Sequence, residues 1–384
     1  MTDPVRLAQE LVRIPSPAGA EKDLADFLLS TLRRLGEAER GPLGTVIGRL
    51  RRGEGPTLVL TGHMDTVPAG EGWSVPPFAG EIREGFLFGR GAVDMKGALA
   101  AQICGAVQAA PDLQGTLYFV YVPHEETAEG VALGQALDKL EKPHLVVLGE
   151  PTDLRLGIGH RGRAVLRLLV RGKAAHAAMP ELGENAIERM VEALGHALRT
   201  PLPEDPLLGQ GTVAPVFLSA DGGGPVVPDR CVALLDRRIV RGETEKSVLA
   251  DYQGIGAEAS IEEAELRFYT GETAQVKFFF PAWSMDPEHP WVVRVWEALG
   301  NPPLRVWRFS TDGVESCGRR GIPTVGFGPG DEKLAHRPDE RVAVEDLRRA
   351  AAAYARLLRH LLGPEGKALL QAREKRPRNG RPAK

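Results

Sequence analysis

Thr57-Leu-Val-Leu-Thr-Gly-His-Met-Asp65 is the stretch on which the reading of this chain turns. A short apolar run, Thr57–Leu60, ends in a polar turn that carries His63 and Asp65. The same pattern recurs at Thr116–Val122 before Pro-His-Glu-Glu, at Leu145–Leu148 before Gly-Glu-Pro-Thr, and at Thr324–Phe327 before Gly-Pro-Gly. Runs that are apolar throughout, rather than alternating, suit strands covered on both faces. Between the first two lies an Ala-rich segment, Lys96 to Ala110, stopped by Pro111 and read as a helix. Strands alternating with helices predict an α/β fold with a mostly parallel sheet. Upstream, the first forty residues read as a helix on the spacing Leu24, Phe27, Leu28, Leu32, Leu35, ending near Gly36.

From about Arg163 to Phe280 the pattern changes. An alternating strand (Val165, Leu166, Leu168, Val170) precedes a helix over Asn185–Leu198 and a Pro/Gly-rich turn region over Thr200–Pro228. A second strand, Cys231–Ile239, a helix, Glu243–Ala257, and a closing strand, Gln275–Phe280, complete it. This predicts a small α+β domain, 163–280, inserted into a main domain formed by 1–162 and 281–363. The remainder, 364–384, includes a basic stretch from Arg373 to Lys384 and reads as a disordered tail.

The chain of 384 residues suits two domains, or one large domain carrying an insertion. Its 48 basic against 51 acidic residues give a net charge of −3, which offers nucleic acid or an anionic membrane no general attraction. No apolar run approaches the roughly 20 residues of a membrane span. The N-terminus lacks the apolar core of a secretion signal. Cys104, Cys231 and Cys317 are too scattered for a disulfide framework or a CxxC motif, which points to a reducing cytoplasm.

The strongest chemical signal is a set of candidate metal ligands, each just past an apolar run or, for Asp94, immediately before a helix. These are His63, Asp94 in Gly89-Arg-Gly-Ala-Val-Asp-Met-Lys-Gly97, the pair Glu125 and Glu126, Glu150, and His336, with Asp65 beside His63. Open α/β sheets gather their sites at the carboxyl ends of strands, so these positions are expected to converge on one crevice. Two imidazoles among several carboxylates suit zinc first, though not zinc alone. Each alone has a bland reading: a His-x-Asp turn, or a solvated Glu-Glu pair. Their concurrence is what carries weight. His124, His144, His160, His196, His289 and His360 read as surface or helix-cap residues. Gly157-Ile-Gly-His-Arg-Gly162 matches the dinucleotide fingerprint, but a strand rather than a helix is expected after it. No nucleophile elbow, H-E-x-x-H helix or P-loop occurs.

Taken together, these motifs resemble a known family. Gly62-His-Met-Asp-Thr-Val-Pro68, the Asp94 motif, His124-Glu-Glu-Thr127 and Gly149-Glu-Pro-Thr152 have the order and spacing of the di-zinc exopeptidases and deacylases. That family includes acetylornithine deacetylase, succinyl-diaminopimelate desuccinylase and the glutamate carboxypeptidases. Ala175-His-Ala-Ala-Met-Pro180, Asp236-Arg-Arg238, Thr311-Asp-Gly313 and Ala335-His-Arg-Pro-Asp339 extend the match to about Leu362. Val93-Asp-Met-Lys96 is of the peptidase and deacylase type, not the Phe-Asp-Gly type of the carbamoyl-amidohydrolase branch.

The resemblance implies two divalent metal ions, zinc first with cobalt or manganese as alternatives. His63 and Glu150 would bind one, Glu126 and His336 the other, and Asp94 would bridge both. Asp65 would orient the His63 imidazole, and Glu125 would be the general base. It also implies a cis Asp94–Met95 peptide bond. His176, on the insert, would reach the partner subunit's site in a homodimer and stabilise an oxyanion. Arg238 would grip a substrate carboxylate; Arg237 and Arg230 are neighbours that could do so, though strand alternation sends Arg237 to the opposite face. Thr311 and Gly328-Pro-Gly330 would shape the pocket, while Lys96 reads only as a helix-start residue. The expected activity is metal-dependent hydrolysis of the amide bond of a small N-acyl amino acid or short peptide. Against it stand a non-catalytic amino-acid or peptide-binding relative, which should have lost Glu125 or a ligand, and a NAD-dependent dehydrogenase resting on Gly157–Gly162 alone.

Overall fold

The computed structural model describes residues 2–364 and forms two units, each on its own large apolar core, with a small third cluster of Ala128, Val276, Phe280 and Val314. The larger unit is built on a nine-stranded mixed sheet. At its centre four strands run parallel: Gly115–Val122, Thr57–His63, Leu145–Leu148 and Thr324–Gly326. Every residue of the first three is buried, as apolar runs sandwiched between helices must be. Antiparallel strands flank this centre, Glu37–Arg40 and Val46–Arg52 on one side, Leu156–His160 and Trp283–Ser284 on the other.

Helices Gly97–Ala109 and Val344–Leu362 pack closely against each other. Gly105 permits the approach: a methyl group there would lie 2.5 Å from Tyr354 Cβ and 2.8 Å from the Ala351 carbonyl oxygen. At the N-terminus there are two helices rather than one. Asp3 caps Pro4–Val12 through the Val5 and Arg6 N–H groups, and Lys22–Arg33 follows after a turn.

The second unit, the insert expected to act as a lid, is a five-stranded sheet in the order Thr212–Ala220, Arg230–Ile239, Gly162–Arg171, Glu258–Ile261, with Phe279–Phe280 also paired to Gly162–Arg171. Helix Ala186–Ala197 packs on this sheet, capped by Asn185. Leu166, Leu168, Val170, Met190, Ala233 and Leu235 fill the core between them.

Three lid expectations need correction. The turn region Thr200–Pro228 contains a nine-residue strand, Thr212–Ala220, whose Pro215 sits at a register shift on a sheet edge, where a missing N–H is tolerated. The helix read over Glu243–Ala257 is only Glu245–Ala250, since Gly254 and Gly256 adopt positive φ beyond it. The closing strand divides in two: Thr273–Lys277 pairs with Glu263–Arg267 as a hairpin, and Phe279–Phe280 returns to the main lid sheet. The basic stretch Arg373–Lys384 lies outside the described residues. Among the described residues no helix is long and apolar enough to cross a membrane.

Candidate metal centre

The chain ends of the parallel strands meet at one crevice. His63 closes the strand Thr57–His63, Glu125 and Glu126 follow Gly115–Val122, and Glu150 follows Leu145–Leu148. Asp94 lies just ahead of helix Gly97–Ala109, next to a cis Asp94–Met95 bond. His336 comes from the loop after Thr324–Gly326, with φ near 60°. Asp94 lies between the imidazoles: its Oδ1 is 2.9 Å from His63 Nε2 and its Oδ2 is 3.2 Å from His336 Nε2. His336 Nε2 is also 3.0 Å from Glu126 Oε2, and His63 Nε2 is 4.0 Å from Glu150 Oε1. Ligand atoms of His63, Asp94 and Glu126 all fall within 4.8 Å of one another, as do those of His63, Glu125 and Glu150. Glu125 Oε1 is buried with no hydrogen-bond partner.

The crowding of these groups shifts their proton affinities. Burial and the neighbouring Glu150 charge push the Glu125 carboxyl well above the usual range, and burial with Asp94 does the same to Glu150. Glu126 rises to about 7 for like reasons. Burial disfavours a charged His63, but Asp94 outweighs it and holds the imidazole protonated well above its ordinary value. Hydrogen bonds donated to the Asp94 and Glu126 carboxylates raise His336 to about 10. The crevice gathers more carboxylates than imidazoles. This donor set, with paired ligand groups sharing His63, fits two divalent ions.

The supporting groups are arranged differently from the expectation for Asp65. The His63 Nδ1–H lies 2.9 Å from the Asp65 main-chain carbonyl, while the Asp65 carboxylate is 3.7 Å away. That carboxylate instead accepts the Glu125 N–H at Oδ1 and the Glu126 N–H at Oδ2, both at 3.0 Å. Glu21 accepts the preceding His124 N–H, so two buried acids hold three successive amides of this loop. Asp94 is held in the same manner. Glu340 Oε1 accepts the Val93 and Asp94 N–H groups, and its Oε2 pairs with buried Arg90 at 2.6 Å. Gly328 fits against the Glu150 loop, where a methyl would lie 2.4 Å from the Gly149 oxygen and 2.5 Å from that of Glu150.

A cavity of about 400 Å³ opens over the ligands, lined among others by Glu129, Arg163, Arg238, Phe309 and Ser310. Arg238 faces it, paired with Asp236 at 2.7 Å. Arg237, on the opposite strand face, is buried against Glu243 and Asp251 in the lid core, and Arg230 pairs with Asp221. Thr311 does not line the cavity: it is fully buried, its hydroxyl accepts the Gly313 N–H, and Phe309 and Ser310 stand at the wall instead. His176 is exposed, in a short strand paired with Val226–Val227, and does not line this chain's cavity.

Two histidines read as surface groups are buried. His124 contacts Thr127 and the Arg267 carbonyl, and His160 accepts the Thr311 N–H at Nε2. Lys96 is also fully buried, donating to the Ile14 carbonyl. Gly162–Arg171 is a strand, so Gly157–Gly162 lacks the helix that a dinucleotide site requires. Glu129, Arg163, Ser310, Arg90 and Glu340 were not singled out from the sequence. Arg90 lies inside the quoted Gly89–Gly97 motif, and Arg163, Ser310 and Glu340 directly adjoin quoted motifs, but Glu129 stands apart from all of them.

Comparison with known proteins adds independent findings. Residues 59–360 match the family model described as Peptidase family M20/M25/M40. An uncharacterized protein of Escherichia coli (strain K12), YgeY, is 32% identical over 378 residues, covering 92% of this chain and 93% of that one. The succinyl-diaminopimelate desuccinylase of Granulibacter bethesdensis is 33% identical over 393 residues, covering 95% and 100%. The M20 family metallo-carboxypeptidase Sso-CP2 of Sulfolobus solfataricus superposes with a TM-score of 0.76, covering 93% of this chain and 99% of that one. At 17% identity the likeness to that structure is one of fold.

Proposed function

The chain belongs to peptidase family M20/M25/M40, a family of metal-dependent amide hydrolases, and from that premise we propose how its own residues divide the work. The observation that carries the reading is the meeting of His63, Asp94, Glu126, Glu150 and His336 at one crevice, where Glu125 groups with His63 and Glu150 and keeps a buried, unpartnered Oε1. His63 with Glu150, and His336 with Glu126, would hold two divalent ions, zinc first, and Asp94 would contribute to both. Bound there, such ions polarise a scissile carbonyl and acidify the attacking water. Glu125 takes the water's proton at its carboxylate and passes it to the leaving nitrogen. Asp65 keeps Glu125 and Glu126 in place through their amides. Arg238 grips the carboxylate of an N-acyl amino acid or short peptide with the guanidinium edge that Asp236 leaves free.

The enzyme works as a homodimer. The edge strand Thr212–Ala220 exposes Val216, Phe217 and Leu218, and helix Ala186–Ala197 exposes Ile187 and Val191. An unpaired edge bearing exposed apolar side chains suits pairing with a second copy. His176, exposed on the same unit and absent from its own chain's cavity, then serves the partner's site by stabilising the oxyanion. Three free cysteines suit a reducing cytoplasm.

The test is a hydrolysis screen of N-acyl amino acids and dipeptides with protein loaded with zinc, cobalt or manganese. Two ions per chain and amide cleavage are expected. Glu125→Gln should retain the metal while turnover falls by about 10² or more. Near-normal turnover in that variant would falsify the assignment of the base.

A further inference from the structure

The wall of the cavity holds a chain of alternating charges that the reaction itself does not use. Glu129, buried on the catalytic side, accepts the Ser310 hydroxyl and both takes and shares the Arg163 Nη1, at 3.1 Å to Oε1 and 3.2 Å to Oε2. Arg163 Nε then donates to Asp236 Oδ2 at 3.1 Å. Asp236 in turn receives Arg238, from Nε at Oδ1 (2.7 Å) and from Nη2 at Oδ2 (3.2 Å).

Arg163 stands where the chain first enters the lid, immediately after Gly162. The returning segment passes beside it: Phe280 is its cross-strand partner, with the ring centroid 6.0 Å from the guanidinium carbon. Arg163 is therefore set between the two connections about which a lid would turn. On its other side it lies directly opposite Arg238 in the antiparallel pair. Like charges so placed repel, and this pair is tolerable because Asp236 lies between the two guanidiniums and Glu129 takes the outer edge of Arg163.

We infer that Arg163 is a positioning residue for substrate recognition: by bridging Glu129 of the catalytic unit to Asp236 of the lid, it fixes the Arg238 fork over the metal-ligand cluster. The inference rests on the reading that Arg238 grips a substrate carboxylate. It adds that selectivity for that carboxylate depends on two residues that touch neither it nor the reacting carbonyl. A lysine cannot substitute for Arg163, because a single ammonium cannot span both acids with fixed geometry.

The experiment compares kcat and KM of the metal-loaded homodimeric enzyme on one hydrolysable N-acyl amino acid and on its C-terminal amide. The wild type should prefer the free acid, and Arg238→Ala should lose that preference. Arg163→Lys, which keeps the charge, should lose about tenfold or more of the acid-over-amide preference, chiefly through KM. Glu129→Gln disconnects the bridge from its other end and should lose preference in the same direction. This sign is decisive, since a simple charge effect of removing a carboxylate from the cavity would strengthen binding of the acid. Thermal melting of both variants shows whether they are folded, and either one that folds suffices for the test. If the wild type shows no preference, the Arg238 reading fails and this inference falls with it. If Arg238→Ala loses the preference while Arg163→Lys keeps it, or Glu129→Gln increases it, Arg238 stands and the bridge is refuted.

Discussion

Asp65→Asn separates two roles that a buried acid beside a metal-binding histidine can play. The Asp65 side chain is fully buried and accepts two amide N–H groups at 3.0 Å, those of Glu125 and Glu126. The contact to His63 comes from the main-chain carbonyl, which asparagine retains. A hydrogen bond to a charged acceptor contributes roughly 1.5–3 kcal/mol against about 0.5–1.5 for a neutral one, so neutralising this acceptor should weaken the loop by about 2–3 kcal/mol over two bonds. The asparagine must also turn its amide nitrogen toward one of the two donors, which adds to the loss. If the loop opens locally, about 2–3 kcal/mol corresponds to amide exchange roughly 30- to 150-fold faster. Hydrogen exchange followed by mass spectrometry on a peptide spanning residues 123–127 reads this directly. Metal affinity should fall with it by about 10–100-fold, the usual scale for groups behind a ligand. Unchanged protection at Glu125 and Glu126, with metal affinity reduced, would show that the carboxylate acts on the imidazole after all and refute the loop-holding argument.

Other consequences can be checked in the same protein. Glu340→Gln removes the charged partner of buried Arg90 and should reduce unfolding free energy by about 3–5 kcal/mol in a denaturant titration; adding Arg90→Met should recover part of it, and a neutral single variant would contradict the pairing. His160 is buried as the neutral imidazole, with burial lowering its pKa to about 3. The unfolded chain binds that proton from about 6.5 downward, so stability from this group is complete above pH 6.5 and is lost as pH falls toward 3, by up to about 1.4 kcal/mol per unit. His160→Gln should flatten that slope between pH 7 and 5, and an identical slope in both proteins would count against it. Mixing Glu125→Gln with His176→Ala and allowing subunits to exchange should restore part of the activity if His176 acts across a dimer; a mixture that stays inactive, or a protein monomeric at assay concentration, excludes that arrangement.

What the sequence made legible depends on the range over which each signal operates. The central strands were readable because burial on both faces leaves an unbroken apolar run, and Thr57–His63 and Gly115–Val122 are buried at every position. The candidate ligands were readable because each follows such a run or opens a helix. Thr212–Ala220 was not, since its apolar side chains point outward from an edge and Pro215 interrupts the pairing, so neither alternation nor burial marks it. The supporting charges were hidden for another reason. Glu340 reaches Val93 and Asp94 across separations of 247 and 246 residues, and an isolated Glu carries no mark of such a partner. Arg163 and Glu129 read as ordinary charges until the fold brings a lid strand down beside the crevice.

The two ends of the cavity make opposite electrostatic demands, and the lid pairs are what keep them apart. At the base, Asp94, Glu125, Glu126 and Glu150 crowd together and attract positive charge. At the mouth, two guanidiniums line the same space. Left unpaired, either would gain from folding toward those carboxylates, taking the place of a metal ion and leaving nothing to meet a substrate anion. Asp236 and Glu129 remove that incentive by satisfying Arg163 and Arg238 where they stand. Placing acids beside the arginines therefore weakens the positive field at the mouth but preserves its position. A guanidinium already held in place loses less freedom when it meets an anion.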